Sequence, residues 1–400
     1  MFKFRWKFYI NIMNIILVSS GQYPDSHAAA IRHSTLAKGL IELGHEVSFL
    51  ILSPQNWNGN TEINYFGIHF KTLNNYSGSN KILKNYYQLK SIFKAKRILH
   101  ELAFKKKIDG LVIFTIDILP IYFLMKAARV LDIKVFHERT ELPYALGRQT
   151  IKEKALLRFY LNNLIPKFDG IFLISDKLIR YIKQFNNATK KLLTVVDLSF
   201  FQTSKSSLYP FPYIGYCGTI SGSKDGVPIL IEAFAKIADQ FPLVKLVLVG
   251  NNSDKITIKD TLDSIAKFGV EKKVIFSGLI ERETMPAILC NAQILVVAKP
   301  DNEQNSGNFP IKIGEYLATG VPIVVTSVGE IPLFIQDGEN GFLAIPGSAE
   351  SFAQKMRTAL ENPQKAKEIG QKGRLVAEKL FDYKLQSAIM ANYIKEVNGN

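Results

Sequence analysis

Short runs of unbroken apolar residues alternate along this chain with segments whose apolar positions recur every three or four residues. Asn14-Ile-Ile-Leu-Val-Ser19 is the first such run. A parallel strand covered on both faces reads this way, because neither face meets water. After a loop at 20–26, His27–Leu43 carries Ile31, Leu36, Leu40 and Leu43 at helical spacing, and Gly44 stops it. Strand patterns return at Val47–Leu52, Leu111–Thr115, Val135–His137 and Ile171–Ile174. The alternation predicts an α/β, doubly wound parallel sheet.

A second start lies past residue 200. The stretch 203–212 is polar and punctuated by two prolines, as a linker is. Strands are predicted at Tyr213–Cys217, Val244–Val249, Lys273–Phe276, Ile294–Val297, Pro322–Thr326 and Gly341–Ala344, with a helix at Val227–Ala238. Phe381–Val397 closes the chain as an amphipathic helix. The expected organisation is a first Rossmann-like domain over 1–200, a linker over 201–212, a second domain over 213–380 and a terminal helix over 381–400. Four hundred residues suit two cores of ordinary size. Two such sheets face each other across a cleft, and ligands sit at the C-terminal ends of parallel strands.

Charge sharpens this division. Residues 1–200 hold 29 Lys/Arg against 14 Asp/Glu, whereas residues 201–400 hold 21 of each, so the net +15 belongs to the first half. One domain is therefore expected to meet a polyanion. The basic segment 81–107 interleaves Tyr86, Tyr87, Phe93, Leu99 and Phe104 with its lysines. That composition suits an anionic membrane surface, and no base-stacking or groove-entering motif supports nucleic acid as partner. No apolar run reaches the roughly 20 residues that span a bilayer. Asn11 and Asn14 interrupt the apolar stretch after Met1–Phe8, which argues against a secretory leader. The start is either Met1 or Met13. Two cysteines, Cys217 and Cys290, match no metal or redox spacing and suit a reducing, cytoplasmic setting.

The densest chemical signal is at 306–322. Ser306, Gly307, Asn308 and Phe309 form a loop, and Pro310 suits the first helical position with Asn308 as N-cap. A helix entered this way offers backbone N–H groups and a positive dipole to phosphate. Glu315, one turn in, is an acceptor suited to a sugar or ribose diol, and Lys312 shares its face. Together these features predict half of a nucleotide-sugar site. No Asp-x-Asp pair for a metal–diphosphate, no Gly-x-Ser-x-Gly elbow and no phosphate-binding Gly-x-x-x-x-Gly-Lys loop occurs.

With Tyr216-Cys-Gly-Thr-Ile220, Lys224, Leu248-Val-Gly250, Ile275-Phe-Ser-Gly278, residues 309–322 and Gly329-Glu-Ile-Pro332, the chain resembles the retaining nucleotide-sugar glycosyltransferases of family 4 (glycosyl transferases group 1), which have the GT-B fold. Gly44-His-Glu-Val47 and His137-Glu138 resemble landmarks of the family's first half. The resemblance implies a UDP- or GDP-linked sugar donor, no further cofactor and no metal. It implies that the terminal helix packs back on the N-terminal domain. It gives Glu315 the donor ribose, Lys224 the leaving diphosphate, and His137 the sugar and donor phosphate. Glu138 and Glu141 would orient His137 or hold acceptor hydroxyls. Gly218, Thr219, Gly250 and the 306–310 loop would line the donor, and His27, Ala28 and Arg32 an acceptor or phosphate loop. The chain departs from the family at Gly307, where many members carry a first glutamate, and at Thr219, where they carry arginine. Glu303, Asn305 and Ser306 are the candidates to replace that glutamate.

The reading is a hexosyltransferase-type enzyme on the cytoplasmic face of a membrane, moving a sugar onto a saccharide or lipid-linked acceptor in cell-surface polysaccharide or glycolipid assembly. The alternative is a non-catalytic relative that binds glycan or nucleotide sugar within a membrane-associated complex.

Overall fold

The computed structural model describes residues 12–143, 150–202, 206–220, 222–251 and 255–399. Residues 1–11, with the basic tail, therefore lie outside the described residues, as do residues 203–205 of the polar linker.

In the N-terminal lobe, strands β1 (Asn14–Ser19), β2 (Glu46–Ile51), β3 (Glu62–Tyr65), β4 (Ile68–Thr72), β5 (Gly110–Ile113), β6 (Val135–Arg139), β7 (Gly170–Leu173) and β8 (Thr189–Lys191) form one sheet in the order β3-β4-β2-β1-β5-β6-β7-β8. Only β3, paired to β4 through a tight turn, runs antiparallel. In the C-terminal lobe, β9 (Tyr213–Cys217), β10 (Lys245–Val249), β11 (Val274–Gly278), β12 (Ile294–Val297), β13 (Ile323–Thr326) and β14 (Phe342–Ala344) form a parallel sheet in the order β11-β10-β9-β12-β13-β14. The strand order reverses beside β9, so the ends of β9 and β12 flank a crevice. These are two Rossmann-like lobes, the GT-B architecture.

Apolar runs made the central strands predictable: β1, β9 and β12 lie where expected, and their interiors are almost completely buried. The β3–β4 hairpin and β8 were not expected. Both lie at sheet edges, where polar residues face water and the apolar run disappears.

The chain ends by crossing back. Val196 N donates to the Phe381 carbonyl (2.8 Å) and Tyr383 N to the Val196 carbonyl (3.1 Å). The helix Tyr383–Val397 then packs on the helix Ala28–Glu42 of the first lobe. Ser387 Oγ reaches the Leu36 carbonyl (3.1 Å), and a Cβ at Gly39 would meet that hydroxyl at 2.2 Å, so glycine is what permits the approach. Leu142, Val196 and Phe201 of the first lobe join Phe309, Ile313 and Phe381 in one apolar cluster. The lobes are therefore seamed together beside the cleft.

Candidate donor site

The site is built where β9, β10 and β12 end. Gly218 follows β9 with φ +149, and Gly250 follows β10 with φ +137. Their backbones touch: a Cβ on Gly250 would meet the Gly218 carbonyl oxygen at 1.9 Å. Two adjacent glycines thus keep this floor free of side chains. The Thr219 carbonyl accepts from the Tyr216 hydroxyl (2.5 Å).

Lysines gather over this floor around one buried acid. Asp225 receives Lys312 Nζ (2.8 Å), Lys299 Nζ (3.2 Å) and the Tyr216 hydroxyl (3.0 Å). Burial alone would raise its carboxyl, but Lys312 and Lys299 hold it well below the usual range. Burial pushes the Lys299 ammonium down to about 8 against the pull of Asp225. Lys299 also donates to Asn305 Oδ1 (2.8 Å) and to the Lys224 carbonyl (3.2 Å), and Asn305 Nδ2 reaches that same carbonyl (3.1 Å). The backbone of Lys224 is therefore fixed from beneath, while its ammonium reaches across the cleft to Glu141 (3.3 Å).

The helix Ile311–Thr319 opens beside these lysines. Its N-cap is Pro310, and no side chain caps it. This corrects the expected placement of Asn308 as N-cap and Pro310 as first helical residue. A proline at the cap leaves that end without a side-chain acceptor, so the N–H groups of the first turn are the natural partners of an anion. Asn308 is buried, and its Oδ1 has no hydrogen-bond partner among the described residues. Phe309 turns inward onto Phe334 and Phe381. One turn into the helix, Glu315 accepts through Oε1 from Arg282 (2.9 Å), whose guanidinium lies over the Phe200 ring. Lys312 and Glu315 thus find separate partners rather than each other.

The N-terminal lobe grips the 303–307 loop directly. Ser175 Oγ donates to the Gly307 carbonyl (2.7 Å), and Lys177 Nζ reaches Ser306 Oγ (2.6 Å) and Glu303 (3.1 Å). Leu142 packs against Gly307, where a Cβ would meet Leu142 Cδ1 at 2.4 Å. Asp176 N donates to Glu330, which Lys191 also approaches (3.1 Å). Among the candidates to replace a glutamate at 307, Asn305 is spent on internal bonds, and Ser306 and Glu303 engage Lys177.

Three predicted residues lie elsewhere. His137 is fully buried inside β6, stacked on Phe168. Its Nδ1–H donates to the Ile113 carbonyl (2.6 Å), which leaves Nε2 to accept from the Tyr160 hydroxyl (2.8 Å). Burial, aided by the Arg139 guanidinium, pushes this imidazole down to about 3, so it is neutral. Glu138 points to the opposite face of β6. It accepts from Arg32 Nε (2.5 Å) and His33 Nε2 (3.0 Å), and Arg32 continues to the Leu193 and Leu192 carbonyls. Burial would raise the Glu138 carboxyl, yet Arg32 and His33 hold it down at about 2. Arg32, Glu138 and His137 therefore hold the lobe together from inside rather than lining the cleft. His27 and Ala28 are exposed at the start of the helix after β1.

Sequence reasoning missed Lys299, Arg282, Leu142 and Lys177. Ser175 gave a usable signal, since a serine just after an apolar strand run is a helix N-cap. The others are single residues whose partners come from distant segments. Among the described residues, no cluster of three His, Cys, Asp or Glu side chains is placed to hold a metal ion.

Residues 211–362 match the family model of glycosyl transferases group 1. Among curated proteins, N-acetyl-alpha-D-glucosaminyl L-malate synthase of Bacillus anthracis is 27% identical over 164 residues, 41% of this chain and 39% of that one. Sulfoquinovosyl transferase of Arabidopsis thaliana is 24% identical over 170 residues, 42% of this chain and 31% of that one. The chain thus spans well under half the length of these relatives. Among solved structures, Anabaena HepE in complex with UDP superimposes with a TM-score of 0.72 at 17% identity, covering 96% of this chain and 100% of that chain. A glycosyltransferase from Rickettsia africae gives a TM-score of 0.73 at 16% identity, covering 98% and 100%.

Proposed function

From the premise that residues 211–362 carry a glycosyl transferases group 1 domain, we propose that this protein transfers a sugar from a UDP- or GDP-linked donor to a saccharide or lipid-linked acceptor, with retention and without a metal, in cell-surface polysaccharide or glycolipid assembly. One observation carries the reading. The uncapped helix at Pro310 opens beside Lys312, whose ammonium lies against the Gly218 backbone, with Glu315 one turn in and the Lys224 ammonium reaching Glu141 of the first lobe. A diphosphate there meets N–H groups and two cations, and a ribose diol meets Glu315, of which Arg282 takes only Oε1. HepE, a chain of like fold, was solved with UDP and with UDP-glucose, which supports a nucleotide donor.

Lys224 supplies positive charge where the leaving diphosphate gains negative charge, so its attraction grows as the glycosidic bond breaks. The seam of Leu142, Ser175 and Lys177 against residues 303–307 excludes water from that bond and limits hydrolysis of the donor.

The acceptor side of the proposal rests on the helix Lys81–Lys105. Ser91, Ile92, Ala95 and Leu99 bury one stripe of it. A second stripe, Ile82, Tyr86, Leu89 and Phe93, recurs at helical spacing and is exposed, with Lys90, Lys96 and Arg97 beside it. An apolar stripe edged by cations suits an anionic bilayer, where lipid-linked acceptors reside, and supports a peripheral position on the inner membrane face. No described helix is long and apolar enough to cross a membrane.

Thermal-shift measurements with UDP-, GDP- and other nucleotide sugars test the reading, followed by transfer assays with those that stabilise the protein. Stabilisation by one nucleotide class is expected; absence of any response would remove it.

A further inference from the structure

A cavity of about 90 Å³ opens between the lobes beside the β3–β4 hairpin, and none of Lys224, Pro310 or Lys312 lines it. Asp25, Tyr65 and Phe66 line it from the first lobe with Phe200, and Arg282 and Glu283 from the second. At roughly 10–15 Å³ per water, this is room for a handful of waters. That is the scale of one sugar ring rather than a nucleotide.

The hairpin tip is unusual. Tyr65 pairs with Ile68, so Phe66 and Gly67 are the two central residues of a tight turn, with φ values of +49 and +80. Glycine adopts this backbone without cost, whereas a bulky side chain does not. Asparagine or aspartate is the usual first member of such a turn. Yet Phe66 stands there with 65% of its surface exposed, edge-on to Tyr65 at 4.5 Å. The sequence therefore holds a large apolar ring in an unfavourable conformation and recovers little burial for it. Strain kept at an exposed position is a mark of a ligand clamp.

The polar lining narrows the ligand class. Asp25 accepts from the Tyr65 hydroxyl (3.0 Å), and Lys38 donates to Asp197 (2.6 Å) at the cavity wall. Carboxylates and cations are nearly balanced, so a strongly charged ligand gains little. A solvent-exposed aromatic ring, which the Lys38 ammonium approaches to 5.5 Å, beside fixed carboxylates suits a molecule with an apolar, weakly polarised C–H face and an edge of hydroxyl donors. A pyranose has that form. We propose that this cavity is a saccharide subsite, which holds one pyranose ring of the acceptor glycan on Phe66 and takes its hydroxyl hydrogens on Asp25 and Glu283. The assignment of the ring to an acceptor rests on the transferase reading above.

Saturation-transfer NMR on the full chain, with the methyl glycosides of glucose, galactose, mannose and N-acetylglucosamine as probes, tests it. Phe66→Asn is the decisive variant, because asparagine tolerates the left-handed backbone. It is expected to melt no lower than the parent, to keep its affinity for UDP, and to lose at least tenfold in affinity for whichever glycoside binds. Unchanged glycoside binding in Phe66→Asn overturns the proposal, as does silence from all four probes. Failure of UDP to bind would strike the donor site instead and leave the glycoside comparison decisive for this one.

Discussion

Lys224 Nζ of the C-terminal lobe stands 3.3 Å from Glu141 Oε1 of the N-terminal lobe, and both side chains are partly open to solvent. An ion pair of this exposure contributes little to stability, so a diphosphate can displace Glu141 at small cost. Lys224→Ala is expected to weaken UDP binding by tenfold or more, in line with about 1.5–3 kcal/mol for a charged hydrogen bond. Glu141→Gln is expected to leave UDP affinity unchanged or raise it a few-fold. Calorimetric titration at low and physiological salt checks both.

Gly307 and Leu142 test the seam. Gly307 has φ −105, which any residue adopts, so alanine there meets only a packing clash. Gly307→Ala is expected to cost about 1–3 kcal/mol of the closed arrangement, the usual penalty of overpacking. Leu142→Ala in the same chain should recover most of it. Melting temperatures and donor affinities of the two single variants and the double variant read this coupling. Simple addition of the two effects would contradict the contact.

The buried pairs on β6 predict acid lability with a defined sign. His137 is held neutral when folded, down to about 3 against 6.5. Below pH 6.5 the unfolded chain therefore binds a proton that the folded chain refuses, and stability falls by up to about 1.4 kcal/mol per pH unit. Glu138, held at about 2 against 4.5, adds a second decline that begins as pH drops below 4.5. Denaturation between pH 8 and 4 is expected to show the first slope in the parent and a clearly shallower one in His137→Gln, where burial of His27 and His45 still holds those imidazoles down. Glu138→Ala, which strands Arg32 in the core, is expected to cost about 3–5 kcal/mol.

The exposed stripe on the helix Lys81–Lys105 predicts vesicle binding. Tyr86→Ser with Phe93→Ser is expected to abolish flotation with anionic liposomes while leaving UDP affinity intact. Each Lys→Gln change at 84 or 90 should weaken binding about fivefold, in proportion to about 1 kcal/mol per cation near the surface. Equal binding to neutral and anionic vesicles would argue against the charge contribution.

Much of this molecule is readable from its residues, and the failures are instructive. Tyr213–Cys217 and Ile294–Val297 were legible because central parallel strands must be apolar on both faces. The mouth at Pro310, with Glu315 one turn in, was legible because loop, proline and carboxylate are close in sequence. His137 was misplaced because β6 runs on to Arg139. A strand ended two residues early moves an interior side chain to the rim of the cleft. Lys299 and Asp225 lie 74 positions apart and meet only through the sheet, so no local pattern announces their pairing. Leu142 is an apolar residue in a loop, and only the fold shows that it occupies the space next to Gly307.

The central claim is a pyrophosphoryl group bound between the Pro310 helix and Lys224. The most direct measurement is the rise in melting temperature that a saturating nucleoside diphosphate, UDP or GDP, produces in the parent, in Lys224→Ala and in Glu315→Ala. A rise in the parent that shrinks in both variants is the expected result. An equal rise in all three would place the nucleotide elsewhere.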